Sequence, residues 1–180
     1  MNRTIALLNR QHAVRLDLRL FRSIVTAFLT RLRPDAEIEL GVLLVDTPEI
    51  TRLNETFVRH QGSTDVISFD YADPIVGSHA ATTLRGEVFI CVDEAISQAR
   101  RFRTSWQSEL IRYLVHGVLH LSGYDDQAPV ARRVMKRAED LWLGRLAAEF
   151  CFERLALRRA RQPRRTRPRS RRGFGGNGRR

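Results

Sequence analysis

Hydrophobic and polar positions along the chain follow two periods, which separate predicted strands from predicted helices. Strands alternate with a period of two residues or form short apolar runs, whereas helices place apolar residues three and four positions apart. Residues 36–46 become continuously apolar, which indicates an interior strand, and residues 16–32 have helical spacing that ends before Pro34. The same criteria predict strands at 4–8, 36–46, 64–71 and 86–93, and helices at 16–32, 48–58, 93–103, 108–121 and 129–160.

Helices and strands are interleaved along the chain, which is typical of a single α/β or α+β domain. We predict the α+β arrangement, with a mixed sheet of about four strands packed against helices. A chain of 180 residues with 43% hydrophobic content is long enough to bury a core of this size. We assign the folded domain to residues 1–157.

The positive charge of the chain is concentrated at its C-terminal end. The formal net charge is +11, and residues 158–180 contain eleven arginines and no acidic residue, so the remaining residues are neutral overall. This segment has nothing from which to build a core, and we predict a disordered arginine-rich tail. It would either attract RNA phosphates nonspecifically or be a solvated tail without a dedicated role.

Cysteine content and hydropathy favour a soluble protein of a reducing compartment. Cys91 and Cys151 are too few and too far apart for a disulfide framework, and we predict that both are small core residues. No early segment resembles a signal peptide, and no run of about eighteen apolar residues exists. We therefore expect a cytoplasmic protein that has no membrane partner.

One strongly apolar helix carries polar side chains that a core position does not explain. The segment HGVLHLSGYDD at 116–126 contains His116 and His120. Side chains four residues apart lie on the same face of a helix, so both imidazoles can point toward one position. Gly123 permits a sharp turn because glycine adopts left-handed backbone angles. Asp126, three residues beyond the glycine, can then return to the same position.

Two interpretations of this segment compete. A bare H-x-x-x-H pattern favours histidines that are hydrogen-bonded within a core. The glycine and carboxylate in H-x-x-x-H-x-x-G-x-x-D instead favour a metal centre at the C-terminal turn of the helix. We predict the metal centre, with His116, His120 and Asp126 as ligands. We expect Asp125 to cap the turn or to support a ligand.

Three protein ligands leave one coordination position open for water, which is the arrangement of catalytic zinc sites. Zinc lowers the pKa of bound water to about 7, although an aspartate ligand should make the water somewhat less acidic than a third histidine would. We expect one Zn²⁺ per chain. A set of two histidines and one carboxylate also suits manganese or iron.

A zinc metallopeptidase is the least favoured of the hydrolases that this site suggests. Helical zinc peptidases have the pattern H-E-x-x-H, in which the glutamate beside the first histidine is the general base. Gly117 occupies that position here, and glycine cannot accept a proton.

The segment HGVLHLSGYDD resembles the H-G-x-L-H-L-x-G-Y-D-H signature of the YbeY-type endoribonucleases, which are bacterial ribosomal RNA maturation factors. The resemblance covers roughly residues 35–145, with several blocks in the same order as in the family. The other matching blocks are LNETFVRHQGSTDVISF (53–69), GEVFI (86–90) and the pair Met135 and Glu139.

The resemblance implies a single-strand-specific, metal-dependent endoribonuclease. It would act in maturation of the 3′ end of small-subunit (16S) ribosomal RNA and in ribosome quality control. Its partners would be single-stranded ribosomal RNA and the small ribosomal subunit. Arg59 matches the arginine of the family, which implies a catalytic residue that makes a two-pronged phosphate contact.

The chain departs from the family pattern at three positions. Asp126 replaces the third metal histidine, Glu87 replaces the usual aspartate, and His60 stands where a small or polar residue is more usual. We interpret His60 as a surface histidine in preference to an RNA contact or a proton carrier. Asp126 also leaves open a second class of function, a noncatalytic ribosome- or RNA-binding factor with a structural metal.

Strand alternation limits which residues of the predicted strand at 64–71 can face the metal. Thr64, Val66 and Ser68 lie on one side of the strand, and Asp65 and Ile67 lie on the other. They cannot all face the metal, so we leave them out of the catalytic set and expect Asp65 to hold a turn.

Overall fold

The computed structural model describes residues 2–71 and 83–157, so the predicted tail at 158–180 lies outside the described residues. Within these described residues the chain forms four strands and five α-helices. The strands are β1 (Arg3–Asn9), β2 (Glu37–Val45), β3 (Val66–Asp70) and β4 (Thr83–Cys91). The helices are α1 (Leu18–Leu32), α2 (Thr47–Leu53), α3 (Val92–Phe102), α4 (Trp106–Leu121) and α5 (Pro129–Glu149).

The strands form one mixed sheet in the order β1-β2-β4-β3. β1, β2 and β4 are parallel, and β3 pairs antiparallel with β4 at one edge. Parallel neighbours need a crossover connection, which α1 provides between β1 and β2. The prediction of a single α+β domain with about four mixed strands is confirmed.

Two buried clusters lie on opposite faces of this sheet. The larger one fills the space between the sheet and helices α1, α4 and α5, and the smaller one lies beneath α2. Leu43 and Leu44 of β2 belong to different clusters, as the alternation of side chains in a strand requires. Residues 42–45 are buried at consecutive positions because both faces of the sheet are covered there, which explains their unbroken apolar run.

The last helix is shorter than predicted. We expected a helix over 129–160, but α5 ends at Glu149 and a short 3₁₀ helix follows at Phe152–Leu155. Leu155 is fully buried, and its carbonyl oxygen accepts a hydrogen bond from the Asp17 backbone N–H at 2.9 Å. Helix α5 therefore does not continue, because Leu155 is instead buried against the start of α1. The local sequence pattern does not reveal this contact.

The two cysteines differ in environment. Cys91 is fully buried, as predicted, and burial raises the pKa of its thiol although nearby hydrogen bonds oppose the change. The prediction for Cys151 was wrong, because Cys151 is exposed in the segment that follows α5. The two cysteines do not form a disulfide bond with each other.

The second helix differs from its prediction in two details. We predicted a helix that begins at residue 48, but it begins at Thr47, and Asp46 is the cap, whose carboxylate accepts from the Glu49 backbone N–H at 3.0 Å. A π-helical segment at Asn54–Val58 continues the chain where an ordinary helix was expected. This segment forms one wall of the cleft described below.

No helix within residues 2–71 and 83–157 combines the length and the apolar character that crossing a bilayer requires.

Candidate metal centre

Helix α4 ends in a turn that brings the chain back toward its own last residues. Gly123 has a φ of 90°, and its backbone N–H donates to the His120 carbonyl oxygen at 2.9 Å. The Tyr124 backbone N–H donates to the Leu119 carbonyl oxygen at 3.1 Å. These bonds form a Schellman ending, which favours glycine at its left-handed position. The turn predicted at Gly123 is therefore confirmed, and it leads directly to Asp126.

The three predicted ligands meet at one point. The Nε2 atoms of His116 and His120 lie 2.9 Å apart. Asp126 Oδ2 lies 3.8 Å from His116 Nε2, and Asp126 Oδ1 lies 3.9 Å from His120 Nε2. One ligand atom from each residue lies within 4.8 Å of the others, which is a geometry that could hold a metal ion.

The donor set and its spacing fit a small divalent cation. A tetrahedral ion with ligand bonds of about 2.0–2.1 Å separates its ligand atoms by about 3.3 Å. The two Nε2 atoms are closer than that value at 2.9 Å, and the distances of 3.8 and 3.9 Å, which run to different oxygens of Asp126, are longer than it. Two imidazoles and one carboxylate suit zinc, manganese and iron alike, so the ligands do not distinguish these metals.

A buried carboxylate on α5 orients the first histidine. His116 Nδ1–H donates to Glu139 Oε1 at 2.7 Å, which leaves Nε2 to face the other ligands. Burial disfavours the charged form of His116, but the hydrogen bond and charge of Glu139 outweigh it and raise the pKa of His116. Burial likewise favours a neutral Glu139, but His116, Lys136 and Arg112 outweigh it and lower the pKa of Glu139.

Glu139 is the supporting residue that the sequence reasoning left without a role. It lies 23 positions after His116, a separation that no helical or strand period connects. Its only signal in the sequence was the Met135 and Glu139 pair within the family resemblance. Carboxylate–histidine pairs of this kind fix the orientation of the imidazole and raise its basicity toward a metal.

The second histidine is oriented by the turn itself. His120 Nδ1 lies 3.0 Å from the Tyr124 carbonyl oxygen, so an N–H on Nδ1 donates to it and Nε2 faces the other ligands. Asp125 Oδ1 accepts from the backbone N–H groups of Asp126 at 2.8 Å and Gln127 at 3.1 Å. Asp125 therefore caps the turn, as expected, and the turn holds both His120 and Asp126.

An ionic cluster joins α4 to α5 one helical turn before the first ligand. Arg112 Nη1 lies 2.9 Å from Asp140 Oδ1 and 3.5 Å from Glu139 Oε2. Burial opposes the charge of Arg112, but these carboxylates and Glu109 outweigh it and raise the pKa of Arg112. The cluster keeps the charge of Glu139 balanced beside the metal centre.

The ligands open onto a cleft of about 440 Å³. One wall is the π-helical segment and the residues after it, and the other walls are β3 and the end of α4. Asn54 Nδ2 donates to the Gly62 carbonyl oxygen at 2.9 Å and so fixes the loop that closes the first wall. The residues that line the cleft include Val58, His60, Thr64, Val66, Ser68, His116 and His120.

Strand β3 and the residue two positions before it present alternate side chains to the cleft, and Ile67, which belongs to the smaller buried cluster, also lies at its lining. Thr64, Val66 and Ser68 line the cleft, and Ser68 Oγ–H donates to the Gly117 carbonyl oxygen at 3.1 Å. Asp65 Oδ1 accepts from Thr64 Oγ–H at 3.1 Å and from the Val66 backbone N–H at 2.9 Å. Asp65 therefore holds the start of the strand, as expected.

Arg59 and His60 are both exposed, but they differ in their position relative to the cleft. Arg59 has a φ of 63° at the end of the π-helical segment, and its side chain is exposed and outside the set of residues that line the cleft. His60 is exposed and lines the cleft together with His116 and His120. The family resemblance favours Arg59 as the catalytic residue. The residues that line the cleft include His60 but not Arg59.

Gly117 faces the sheet, away from the ligands. A Cβ at this position would lie 2.5 Å from Val88 Cγ1 and 3.0 Å from Ser68 Oγ. The position has no room for a side chain, and the glutamate of a zinc peptidase could not be accommodated here without displacing β3 or β4. The close approach of α4 to the sheet explains the glycine.

The chain is similar to a family of known proteins. The family model described as endoribonuclease YbeY matches residues 6–147. A relative named endoribonuclease YbeY in Salinibacter ruber is 38% identical over 106 residues, which are 58% of this chain and 68% of the relative. A relative of the same name in Chlorobium luteolum is 37% identical over 109 residues, which are 61% of this chain and 74% of the relative.

A solved structure has the same fold. The solution structure of TM1509 from Thermotoga maritima matches with a TM-score of 0.56 and 24% sequence identity, over 81% of this chain and 91% of that protein. At 24% identity this match supports the fold alone. The match to the family model supports membership in the family. The chain belongs to the YbeY endoribonuclease family.

Proposed function

We propose that this protein is a single-strand-specific, metal-dependent endoribonuclease that hydrolyses RNA phosphodiester bonds. We further propose that it acts in the cytoplasm on single-stranded ribosomal RNA of the small subunit, in 16S 3′-end maturation and ribosome quality control. The observation that carries the proposal is the convergence of His116, His120 and Asp126, of which both histidines line the cleft. Membership in a family of endoribonucleases supports RNA as the substrate.

The size of the cleft supports an unpaired strand as the substrate. A volume of about 440 Å³ is that of a site for one small molecule. One nucleotide and its adjoining phosphates fit such a space, whereas a duplex would have to open first. We therefore expect cleavage of single strands and resistance of fully paired RNA.

The residues of this chain divide the chemical work among them. His116, His120 and Asp126 would hold one divalent cation, for which we propose zinc. Such a cation supplies a Lewis acid for the phosphoryl oxygen and lowers the pKa of water. Glu139 and the Tyr124 carbonyl group hold the two imidazoles in the orientation that a ligand needs.

The remaining tasks are phosphate binding and proton transfer. We propose that Arg59, which is exposed beside the cleft and has no ion-pair partner among residues 2–71 and 83–157, contacts an RNA phosphate at the cleft mouth. His60 lines the cleft, where an imidazole can pass a proton to the departing oxygen. This role for His60 replaces our earlier preference for a surface histidine.

The proposed activity is tested directly by incubating the purified protein with a single-stranded ribosomal RNA fragment, with and without a metal chelator. We expect cleavage that stops on chelation and resumes when zinc or manganese is restored. The same RNA annealed to its complement is the control and should remain intact. Cleavage that persists after complete metal removal would eliminate a metal-dependent mechanism, and binding without any cleavage would favour the noncatalytic factor.

The two basic residues beside the cleft are separated by their different kinetic effects. Arg59→Gly removes the guanidinium while keeping the backbone relaxed at a φ of 63°, and we expect KM for RNA to rise about tenfold with little change in kcat. His60→Gln should lower kcat about a hundredfold, since proton transfer typically contributes at least that factor. Metal content should be unchanged in both variants. The reverse pattern of KM and kcat would show that the two roles are exchanged.

A further inference from the structure

A second basic surface lies away from the metal centre, at the corner between α3 and α4. We call the exposed residues Arg15, Arg100, Arg101 and Arg103, together with Phe102, the basic corner. It adjoins the start of α4, and His116 lies ten residues along that helix. With a rise of 1.5 Å per residue, this places the basic corner about 15 Å or more from the ligands.

The charges of the basic corner are not neutralised by the folded chain. Among residues 2–71 and 83–157, no carboxylate oxygen lies within 4.0 Å of its guanidinium nitrogens. Some arginines elsewhere are paired, for example Arg31 with Glu149 and Arg85 with Glu39. Asp93 lies in the adjoining groove, but its Oδ2 already accepts hydrogen bonds from the Thr47 backbone N–H and hydroxyl.

The corner also carries an exposed aromatic ring. Phe102 is 62% exposed, and the Arg101 guanidinium lies 5.4 Å from the centre of its ring. Arginine planes and aromatic faces beside one another are the groups on which unpaired bases stack. An exposed phenyl group in this setting is therefore better explained by a nucleic acid than by a simple anion.

Two neighbouring grooves give the surface its shape. The larger has a volume of about 710 Å³ and the smaller about 310 Å³, and Ala13 lines both. The larger groove is lined by Asp93, Ile96, Ser97, Arg100 and Arg101 besides Ala13. Arg15 and Trp106 line the smaller one.

The chain continues from this surface into its arginine-rich end. The Leu157 backbone N–H donates to the Arg15 carbonyl oxygen at 2.9 Å, so the last described residue lies against the basic corner. The next 23 residues contain eleven arginines and no acidic residue. Positive charge therefore extends in sequence directly from the groove that Arg15 lines.

We propose that the basic corner is a second RNA-binding surface, which holds the phosphate backbone of the substrate strand at a distance from the cleavage site. The proposal rests on the proposed function, because it takes RNA as the ligand. Guanidinium groups pair with phosphates in two-pronged contacts, and their release of counterions makes binding steeply dependent on salt. The surface adds affinity for long RNA without taking part in the chemistry.

The test compares two variants that each remove two positive charges. Arg100→Gln/Arg101→Gln alters the basic corner. Arg133→Gln/Arg137→Gln is the matched control, since both residues are exposed on α5 and α4 lies between α5 and α3. Binding of a single-stranded RNA of roughly 20 nucleotides is measured by fluorescence anisotropy at several salt concentrations, with chelator present to prevent cleavage.

We expect the corner variant to bind this RNA about tenfold more weakly. The slope of the logarithm of the binding constant against the logarithm of the salt concentration should be smaller in magnitude by about 1.4. Its cleavage of a dinucleotide, which is too short to reach the corner, should be unchanged, as should its metal content. The control variant should bind the long RNA at least about threefold more tightly than the corner variant does.

Three results would overturn the proposal. The first is equal RNA affinity in the two variants. The second is slower dinucleotide cleavage in the corner variant alone, which would tie the corner to the chemistry. The third is an equal or larger loss of binding to vesicles of anionic phospholipid, which would assign the surface to membranes. If the unaltered protein cleaves no RNA but the corner variant still loses RNA affinity, the proposed function fails and this proposal stands.

Discussion

Replacement of His120 by alanine is expected to empty the metal centre and to reduce RNA cleavage at least about a hundredfold. A Lewis acid at a phosphoryl oxygen is worth several kcal/mol, and each 1.36 kcal/mol is about a tenfold change in rate. His120 supplies one of the three ligand atoms, and the remaining pair leaves the ion with too few protein bonds. Metal content by mass spectrometry and cleavage of single-stranded RNA are the two measurements.

His12→Ala is the matched control for this variant. His12 is exposed and lines a groove together with Trp106, at the opposite end of α4 from the ligands. Its loss should leave metal content at about one ion per chain. The circular dichroism of both variants should match that of the unaltered protein at 25 °C. An intact metal content in His120→Ala would refute the assigned ligand set.

Loss of the charge on Glu139 is expected to weaken metal binding by about ten- to a hundredfold, although Glu139 is not itself a ligand. Glu139→Gln retains an oxygen that can accept the hydrogen bond from His116 Nδ1, which is now 2.7 Å long. It removes the negative charge that makes the imidazole a stronger base. Titration with a competing zinc chelator measures the change in affinity.

Asp140→Asn separates this effect from a general loss of negative charge. Asp140 is the neighbouring carboxylate, and it contacts Arg112 at 2.9 Å and Lys136 at 3.1 Å. Its side chain is 55% exposed, and it makes no hydrogen bond to either histidine among the contacts of the described chain. Metal affinity should therefore change less than about threefold. Equal weakening in the two variants would contradict a specific role for Glu139 in orienting His116.

The convergence of His116, His120 and Asp126 was predictable because their spacing is local. His116 and His120 share a helix face, and Gly123 sets the position of Asp126 through a turn of known geometry. The order of helices and strands was also predictable, since hydrophobic periodicity depends on which face of each element is buried. Predictions of this kind need only residues that are neighbours in the sequence.

The parts that were missed depend on contacts between distant segments. Glu139 reaches His116 only because α5 packs against α4, and α5 ends early because Leu155 is buried beside Asp17. His60 lines the cleft because the π-helical segment at Asn54–Val58 changes the direction of the chain just before it. Periodicity carries no information on any of these contacts.

The centre adds a further link between two helices that also meet through side-chain packing and the Arg112 ion pairs. His116 and His120 belong to α4, Asp126 to the connection, and Glu139, which holds His116, to α5. Any ligand that binds only the folded chain adds stability, about 2.7 kcal/mol at a hundredfold excess over its Kd. An ion held here therefore works as a reversible cross-link between the helices. Scarcity of the ion would weaken the attachment of α5 as well as the enzyme's chemistry, and the lifetime of the protein in the cell would then follow its metal supply.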